Sequence, residues 1–267
     1  SVSTGCESAL FIQDAPQLTD ISALGSIKTA NPEINNLVLD NVGVTAGNLG
    51  QLLDLPQGVV RVTLSNLSQI SSATHGAELN YLAAKTGVLQ LQALPNVTAV
   101  PTVPAITTLS IDNTPVADFT TLNSASSLGT LNIRETPTIN DADLGFITSL
   151  PTVANLTLNL ANMSGLVNLS GLNGVTSLRR LTLSDNPSLV NLSGLSTLTT
   201  IIDFLDIKGN SALVSLDGLD GLRDTTSNNS FAGKIEIGQN PALNNVRALR
   251  GIADAAKLFV YSNTSLN

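Results

Sequence analysis

The amino-acid sequence predicts a mainly β protein with short helices, folded as a right-handed parallel β-solenoid of about ten or eleven irregular leucine-rich coils. Three observations support this prediction. Leucines recur with a fixed spacing, each copy opens with an apolar–polar–apolar triplet, and successive copies begin 20 to 30 residues apart. One triplet cannot bury its own leucines, so the copies must stack. We therefore expect one continuous domain over residues 1–267.

The repeat is clearest in residues 181–198. If Leu181 is given offset 0, apolar residues fall at offsets 0, 2, 8, 11, 14 and 17. The stretches that begin at Leu10, Leu205 and Ile235 fill the same six positions. Weaker copies between them open at Leu37, Val62, Leu89, Leu109, Leu131, Leu156 and Leu258.

Each triplet predicts a short strand with one buried face, because side chains alternate across a strand. Stacking should place the first apolar residues of successive triplets in one buried column. The predicted column contains Leu37, Leu109, Leu131, Leu156, Leu181, Leu205 and Ile235. At offset 5, where the chain leaves the strand, three copies carry Asn186, Asn210 and Asn240. Buried amides there can bond to turn backbone groups and to one another, so we predict an asparagine ladder.

The rest of each coil has an apolar residue at every third position, which indicates tight turns or short 3₁₀ segments rather than α-helices. One insertion differs. Residues 71–87 have a Ser/Thr start and a closing glycine, which predicts a helix. Residues 45–55 and 140–150 are predicted to form shorter helices.

Composition excludes several classes of function. The net charge is −8 and the pI is near 4.4, whereas a nucleic-acid surface needs clustered Lys and Arg. No apolar run approaches the roughly 18 residues of a membrane span, so we expect no membrane insertion by this segment. No signal peptide is visible at Ser1, so the chain is either cytosolic or begins after processing.

The sequence offers little for catalysis, and we predict no catalytic residue, no cofactor and no metal. His75 is the one histidine and Cys6 the one cysteine, and about 70 residues separate them. Three acids, Asp217, Asp220 and Asp224, suggest calcium, but the first two occupy polar positions between core leucines. A solvated rim is the simpler interpretation.

One enzyme class stays open. Parallel β-helix enzymes that cleave acidic polysaccharides need acids beside Lys or Arg in one groove. The nearest candidates are Arg180, Asp206, Lys208, Lys234 and Glu236. A solvated patch of salt bridges explains the same residues.

The outward strand positions form the predicted working surface, because the sheet face of a solenoid is extended and rigid. The middle coils, among them Asn155, Thr157 and Asn159, are neutral there, and the later coils are charged. Regular Thr-x-Thr ranks, typical of ice-binding solenoids, are absent, and a chain without Trp is poorly suited to stacking on sugars. The predicted ligand-binding residues are Arg134, Arg180, Thr182, Phe204, Asp206, Lys208, Lys234 and Glu236.

Eight Asn-x-Ser/Thr sequons fit a secreted glycoprotein. The candidate acceptors are Asn66, Asn96, Asn155, Asn162, Asn168, Asn191, Asn228 and Asn263. The motif Asn-Leu-Ser-Gly-Leu is also part of the repeat, so the repeat itself can account for some of them.

The last copy, residues 258–266, breaks off after its strand. An open coil exposes core and an unpaired strand edge. We therefore expect Phe259 and Tyr261 to lie at an assembly edge, covered by a C-terminal cap, a partner protein or the first coil of another copy. Cys6 lies beside the first strand, where it is positioned to bond to a neighbour.

The stretches LTLSDNPSLVNLSGL and LDIKGNSALVSLDGL resemble leucine-rich repeats, and more closely the receptor L-domain family, which includes fungal cell-wall glycoproteins. The resemblance implies a β-solenoid, an extracellular location and no catalytic residue. Two features depart from related repeats. Receptor L domains usually have disulfide-bonded ends, and internalin-type repeats place the next apolar residue two positions after the Asn, whereas here it is three.

These observations favour an extracellular, non-catalytic binding or adhesion module with a protein or surface-glycan partner and no nucleic acid. The alternative is a structural subunit that stacks head to tail into a filament or layer. A polysaccharide-acting enzyme is the third possibility.

Overall fold

The computed structural model describes residues 8–21, 34–44, 60–223, 233–252 and 257–266. The chain forms two compact units, Ser1–Ser127 and Leu128–Asn267.

The described residues of the first unit form five parallel strands that pair in sequence order. These are β1 (Ser8–Ala15), β2 (Ile34–Val42), β3 (Arg61–Ser65), β4 (Val88–Gln92) and β5 (Thr108–Asp112). Between β3 and β4 lies helix α1, Ser72–Lys85, and a 3₁₀ segment, Thr120–Ser124, follows β5. The helix predicted for residues 71–87 is confirmed: the Ser71 side chain caps it by accepting a hydrogen bond from the Thr74 N–H.

In the part of the second unit that the structure describes there are six parallel strands, again paired in sequence order. These are β6 (Thr130–Arg134), β7 (Thr157–Ala161), β8 (Ser177–Ser184), β9 (Thr200–Lys208), β10 (Lys234–Gly238) and β11 (Lys257–Tyr261). Short 3₁₀ segments connect them: Ala142–Ser149, Val153–Asn155, Ser170–Leu172, Ser193–Leu195 and Arg247–Gly251. The predicted fold class is therefore confirmed, with one parallel strand for each leucine-rich repeat. The helix predicted for 140–150 is a 3₁₀ segment, and the one predicted for 45–55 lies outside the described residues.

The core is the interior of the coils. In the coils that begin at Leu181 and Leu205, all six repeat positions are fully buried, from Leu181 to Leu198 and from Leu205 to Leu222. Each of these two coils therefore contributes six aliphatic side chains, each worth roughly 1.5–3 kcal/mol of burial. Because the contacts run between neighbouring coils, the same leucines both close a coil and attach it to the next.

Within each unit, the predicted column is correct except at one position. Leu131, Leu181, Leu205 and Ile235 share one register, but their partner in β7 is Leu158, not Leu156. Residues 156, 158 and 160 are all leucine and all fully buried, so the alternating pattern alone admits two registers. The outward residues of this coil are accordingly Thr157, Asn159 and Ala161 rather than Asn155, Thr157 and Asn159.

The correct register is fixed by the residue two positions after each apolar–polar–apolar triplet. At offset 4 every described coil has a residue with φ between 45° and 67°, in the left-handed region. The backbone turns there, and its N–H bonds to the next strand, as from Glu135 to Ala161 and from Asn162 to Ser184. In the β7 coil this residue is Asn162, which sets offset 0 at Leu158. The positions are Asp14, Asn41, Asn66, Ala93, Asn113, Glu135, Asn162, Asp185, Gly209, Gln239 and Ser262.

The asparagine ladder is confirmed and extends one coil further than predicted. Asn186, Asn210 and Asn240 are fully buried, and Asn263 is 9% exposed. The Oδ1 atom of each ladder asparagine from Asn210 onward accepts hydrogen bonds from the backbone N–H and the Nδ2 of the preceding one, at 3.0 and 3.2 Å. Their Nδ2 groups also donate to carbonyl groups of the strands. These bonds satisfy polar groups that would otherwise be buried without a partner.

Candidate functional site

The candidate site is the outward face of strands β6–β11 in the second unit, here called the sheet face. Parallel pairing arranges its side chains in three rows that run across the strands. The first row contains Thr130, Thr157, Arg180, Phe204, Lys234 and Lys257. The middle row contains Asn132, Asn159, Thr182, Asp206, Glu236 and Phe259. The third row contains Arg134, Ala161, Ser184, Lys208, Gly238 and Tyr261.

All eight residues predicted as ligand-binding lie in these rows. The register does not bring them all together, however. Arg134 lies on β6 and forms an ion pair with the adjacent Glu135 at 3.0 Å, whereas the charged residues of β9 and β10 form a separate cluster. On β7 the face is neutral, and the amide of Asn159 donates to Asn132.

The cluster on β9 and β10 is an ion network. The ammonium group of Lys208 lies 3.2 Å from the Asp206 carboxylate and 3.3 Å from that of Glu236. Lys234 lies 2.7 Å from the other oxygen of Glu236. The Tyr261 hydroxyl donates to Glu236 at 3.2 Å, so this one carboxylate is bound from both sides.

Two aromatic rings enclose the Lys234 ammonium. It lies 5.0 Å from the centre of the Phe204 ring and 5.2 Å from that of Phe259, on the strands to either side. Both distances are within the range of cation–π attraction. Lys234 is therefore held by two rings and one carboxylate, which fixes a normally mobile side chain.

The network shifts the pKa values of its two carboxylates in opposite directions. Hydrogen bonding from Lys234, with a further contribution from Lys208, holds the pKa of Glu236 below its usual value. Burial raises the pKa of Asp206, despite the opposing hydrogen bond from Lys208. Burial acts to lower the pKa of Lys208, but the hydrogen bond and charge of Asp206 outweigh it and raise that pKa. Lys208 is therefore a protonated cation at neutral pH.

Asp206 is the one member of the network that is not fully satisfied. The residue is 9% exposed, and its Oδ1 atom is buried without a hydrogen-bond partner among the described residues. Leaving an acceptor unpaired in this way costs about 1–3 kcal/mol. Its Oδ2 atom carries the bond to Lys208.

A second ion cluster, which the repeat pattern did not predict, includes Arg180. Both Arg179 and Arg180 bind the Asp203 carboxylate, at 2.8 and 3.2 Å. The two guanidinium groups hold the pKa of Asp203 below its usual value, against the raising effect of burial. An irregularity in the β8–β9 pairing after Leu178 brings both arginines to one carboxylate. The signal in the sequence was the Arg–Arg pair directly before the Leu181 triplet.

Strand β11 exposes both of its faces. On the sheet face Phe259 and Tyr261 are 46% and 37% exposed, and the inward Leu258 and Val260 are 53% and 38% exposed. The outward placement of the two aromatic residues agrees with the prediction. Cys6, the third residue of the predicted assembly edge, lies outside the described residues.

The sequon asparagines have unequal surroundings. Asn155 is exposed, and Asn228 lies outside the described residues. The amide nitrogens of Asn66, Asn96 and Asn162 donate to Asp40, the Ser68 carbonyl and Glu135. Asn168 and Asn191 accept from the backbone N–H two residues ahead, in local turns. Asn263 is buried in the ladder, so a glycan there is incompatible with this structure.

Other candidates for chemistry remain isolated. His75 is buried, and its Nδ1 accepts from the Ser71 N–H at 3.1 Å, so it caps the start of α1. Asp217 and Asp220 are exposed, and no cluster of His, Cys, Asp and Glu suited to a metal occurs within the described ranges. Among the residues that the structure describes, no helix has both the length and the apolar character needed to cross a membrane.

Solved structures similar to this chain were found by comparison with known proteins. No protein-family profile matches the chain, and no curated protein matches it. Internalin C2 from Listeria monocytogenes strain 4b F2365 is similar at 21% sequence identity over 96% of this chain and 99% of that chain, with a TM-score of 0.46. The described residues by themselves form a parallel solenoid of leucine-rich repeats.

Proposed function

We propose that the chain is a non-catalytic binding or adhesion module that recognises a protein partner through the sheet face of its second unit. The observation that carries the proposal is the arrangement around Lys234. Two phenylalanine rings, a tyrosine and a pair of arginines share one rigid face, and aromatic and arginine side chains dominate the energetics of protein interfaces.

The rigidity of the face favours binding. Every strand of the second unit is held by parallel hydrogen bonds on its paired edges and by buried leucines beneath. The last four coils are further joined by the asparagine ladder. A surface that is ordered before binding loses little conformational entropy when a partner docks.

The same ion network argues against acid–base catalysis. A general acid needs a protonated group, and a general base needs an accessible unprotonated one. Glu236 stays ionised because its pKa is lowered, and Lys208 stays protonated because its pKa is raised. Asp206, whose pKa is raised, presents no accessible Oδ1 atom. These groups neutralise one another and leave no acid–base pair exposed to a substrate.

An extracellular or cell-surface location belongs to the same proposal, supported by the exposed sequon at Asn155 and by the repeat pattern's resemblance to receptor L domains. Head-to-tail self-association is the second candidate, favoured by the exposed inward side chains of β11. Light scattering of residues 1–267 over a dilution series tests it. Growth in mass with concentration supports a stacking subunit, and a constant monomer mass contradicts it.

The binding function is tested with a random-sequence peptide display library selected against residues 1–267. Selected binders are re-measured against Thr182→Tyr, which adds bulk to the middle row, and against Val190→Tyr, which makes the matched change at an exposed site off the sheet. Loss of binding in Thr182→Tyr alone supports the proposal. Binders that tolerate Thr182→Tyr, or a library that yields none, contradict it.

A further inference from the structure

We propose that the partner presents an acidic segment to the sheet face, with an apolar side chain that packs against Phe259. This inference rests on the binding function proposed above and names the chemistry of the partner at that surface. It is carried by the distribution of charge, by the depth of the charged groups and by the position of the exposed aromatic residues.

The sheet face is basic on an acidic protein. Strands β6–β11 contain six basic and three acidic residues, whereas the rest of the chain contains six basic and seventeen acidic ones. The basic residues are Arg134, Arg179, Arg180, Lys208, Lys234 and Lys257, and the acidic ones are Asp203, Asp206 and Glu236. An anionic partner is therefore attracted to this face and repelled by the remainder of the protein.

Depth strengthens this asymmetry. The three carboxylate side chains, Asp203, Asp206 and Glu236, are 12%, 13% and 16% exposed. The cations that bind them reach further out: the side chains of Arg179, Arg180 and Lys234 are 47%, 50% and 38% exposed. The carboxylates thus form a lower layer and the cations an upper one, so a docking partner first meets guanidinium and ammonium groups.

The Arg179–Arg180 pair is the strongest anion-recognition element. Two guanidinium groups share the single carboxylate of Asp203, so the pair carries an excess of one positive charge. Guanidinium groups bind carboxylates through directed, often bidentate, hydrogen bonds, and both groups are about half exposed. A glutamate or aspartate of the partner can accept hydrogen bonds from the guanidinium N–H groups that Asp203 does not use.

The aromatic residues favour a protein partner over an anionic glycan. Lys234 lies against both Phe204 and Phe259, within 5.2 Å of each ring centre, which limits the ring area left for stacking on a sugar. Phe259 is nevertheless 46% exposed, with Tyr261 beside it on the same strand. This exposed area suits a single apolar side chain flanked by acids.

The test uses a random-sequence 12-residue peptide display library, and its selected peptides are sequenced. We expect peptides enriched in Asp and Glu around an apolar residue. Arg179→Gln/Arg180→Gln should weaken their binding about 10-fold, since it removes two exposed charge contacts. Arg247→Gln/Arg250→Gln, which removes the same charge from an exposed segment outside the six strands, should leave binding unchanged. Phe259→Ala should weaken the binding of acidic peptides. The salt dependence of that binding should stay the same.

Three outcomes overturn the inference. In the first, the selected peptides lose binding to Thr182→Tyr but are not acidic. This result would keep the sheet face as the binding surface but contradict the acidic partner. In the second, the Arg179/Arg180 and Arg247/Arg250 variants lose the same amount of binding affinity. This result would mean that the protein's net charge, and not the arginine pair, determines binding. A sulfated oligosaccharide that binds more tightly than the selected peptides, without dependence on Phe259, assigns the face to a glycan.

Discussion

The side-chain oxygen of Asn210 accepts two hydrogen bonds from Asn186, one from its backbone N–H at 3.0 Å and one from its amide nitrogen at 3.2 Å. The same pair of contacts recurs from Asn210 to Asn240 and from Asn240 to Asn263. A single side chain thus satisfies turn backbone groups in two coils. The ladder is the polar counterpart of the leucine column, and it gives the last four coils a common register.

Replacement of Asn210 by Ala should destabilise the protein by about 3 kcal/mol or more, because it leaves several buried donors and acceptors of neighbouring coils without partners. Urea unfolding followed by circular dichroism measures the change. Asn159→Ala provides the control, since Asn159 lies on the sheet face and its amide donates to one side chain, Asn132. A loss of less than about 1 kcal/mol in Asn210→Ala would mean that the ladder carries no structural role.

Replacement of Leu205 by Asp should unfold the second unit, because it places an unpaired charge at a fully buried position between two strands. The far-ultraviolet circular dichroism spectrum and the melting temperature report the result. Val214→Asp makes a similar change in the same coil at a side chain that is 38% exposed, and it should melt close to the unmodified protein. Similar melting of both variants would contradict the register.

Replacement of Ala93 by Gly should stabilise the protein, contrary to the usual effect of this change. Ala93 has φ of 49°, a left-handed conformation that costs a non-glycine residue roughly 1–2 kcal/mol. Ala84→Gly is the matched control in the last turn of α1, where loss of helix propensity should destabilise by about 0.5–1 kcal/mol. The two variants should shift the melting temperature in opposite directions. A destabilised Ala93→Gly variant would disprove backbone strain at Ala93.

The two carboxylates of the ion network should affect stability with opposite dependence on pH. The pKa of Glu236 is lowered in the folded state, so its stabilisation is present above the unfolded pKa and is lost as the pH falls through the folded one. The pKa of Asp206 is raised, so its ionisation on raising the pH through the folded value reduces stability.

Melting temperatures from pH 3 to pH 8 test this contrast. Glu236→Gln should lower the melting temperature at pH 7 and have a smaller effect at pH 3. Asp206→Asn should keep or raise the melting temperature at pH 7, because Lys208 retains Glu236 as a partner and the buried charge is removed. Parallel pH profiles for the two variants would show that their environments do not differ as the structure indicates.

The sequence by itself determined the repeat, the strand triplets, the 3₁₀ character of the connections and the asparagine ladder. These features are local and periodic: apolar residues at fixed offsets can be buried only by stacking, and an asparagine at one offset recurs where the backbone needs a partner. The outward charges of β9 and β10 could also be predicted, because alternation across a strand needs no tertiary information.

Only the tertiary structure decided the rest. Three leucines at 156, 158 and 160 satisfied two registers, and the left-handed turn at Asn162 selected one of them. Burial of His75 depends on how the rest of the first unit packs against α1, which no local pattern specifies. The enclosure of Lys234 by Phe204 and Phe259, and the union of Arg179 and Arg180 on Asp203, join residues of neighbouring strands. Their distances depend on inter-strand register, which arises from the pairing of whole coils and not from the order of residues along one of them.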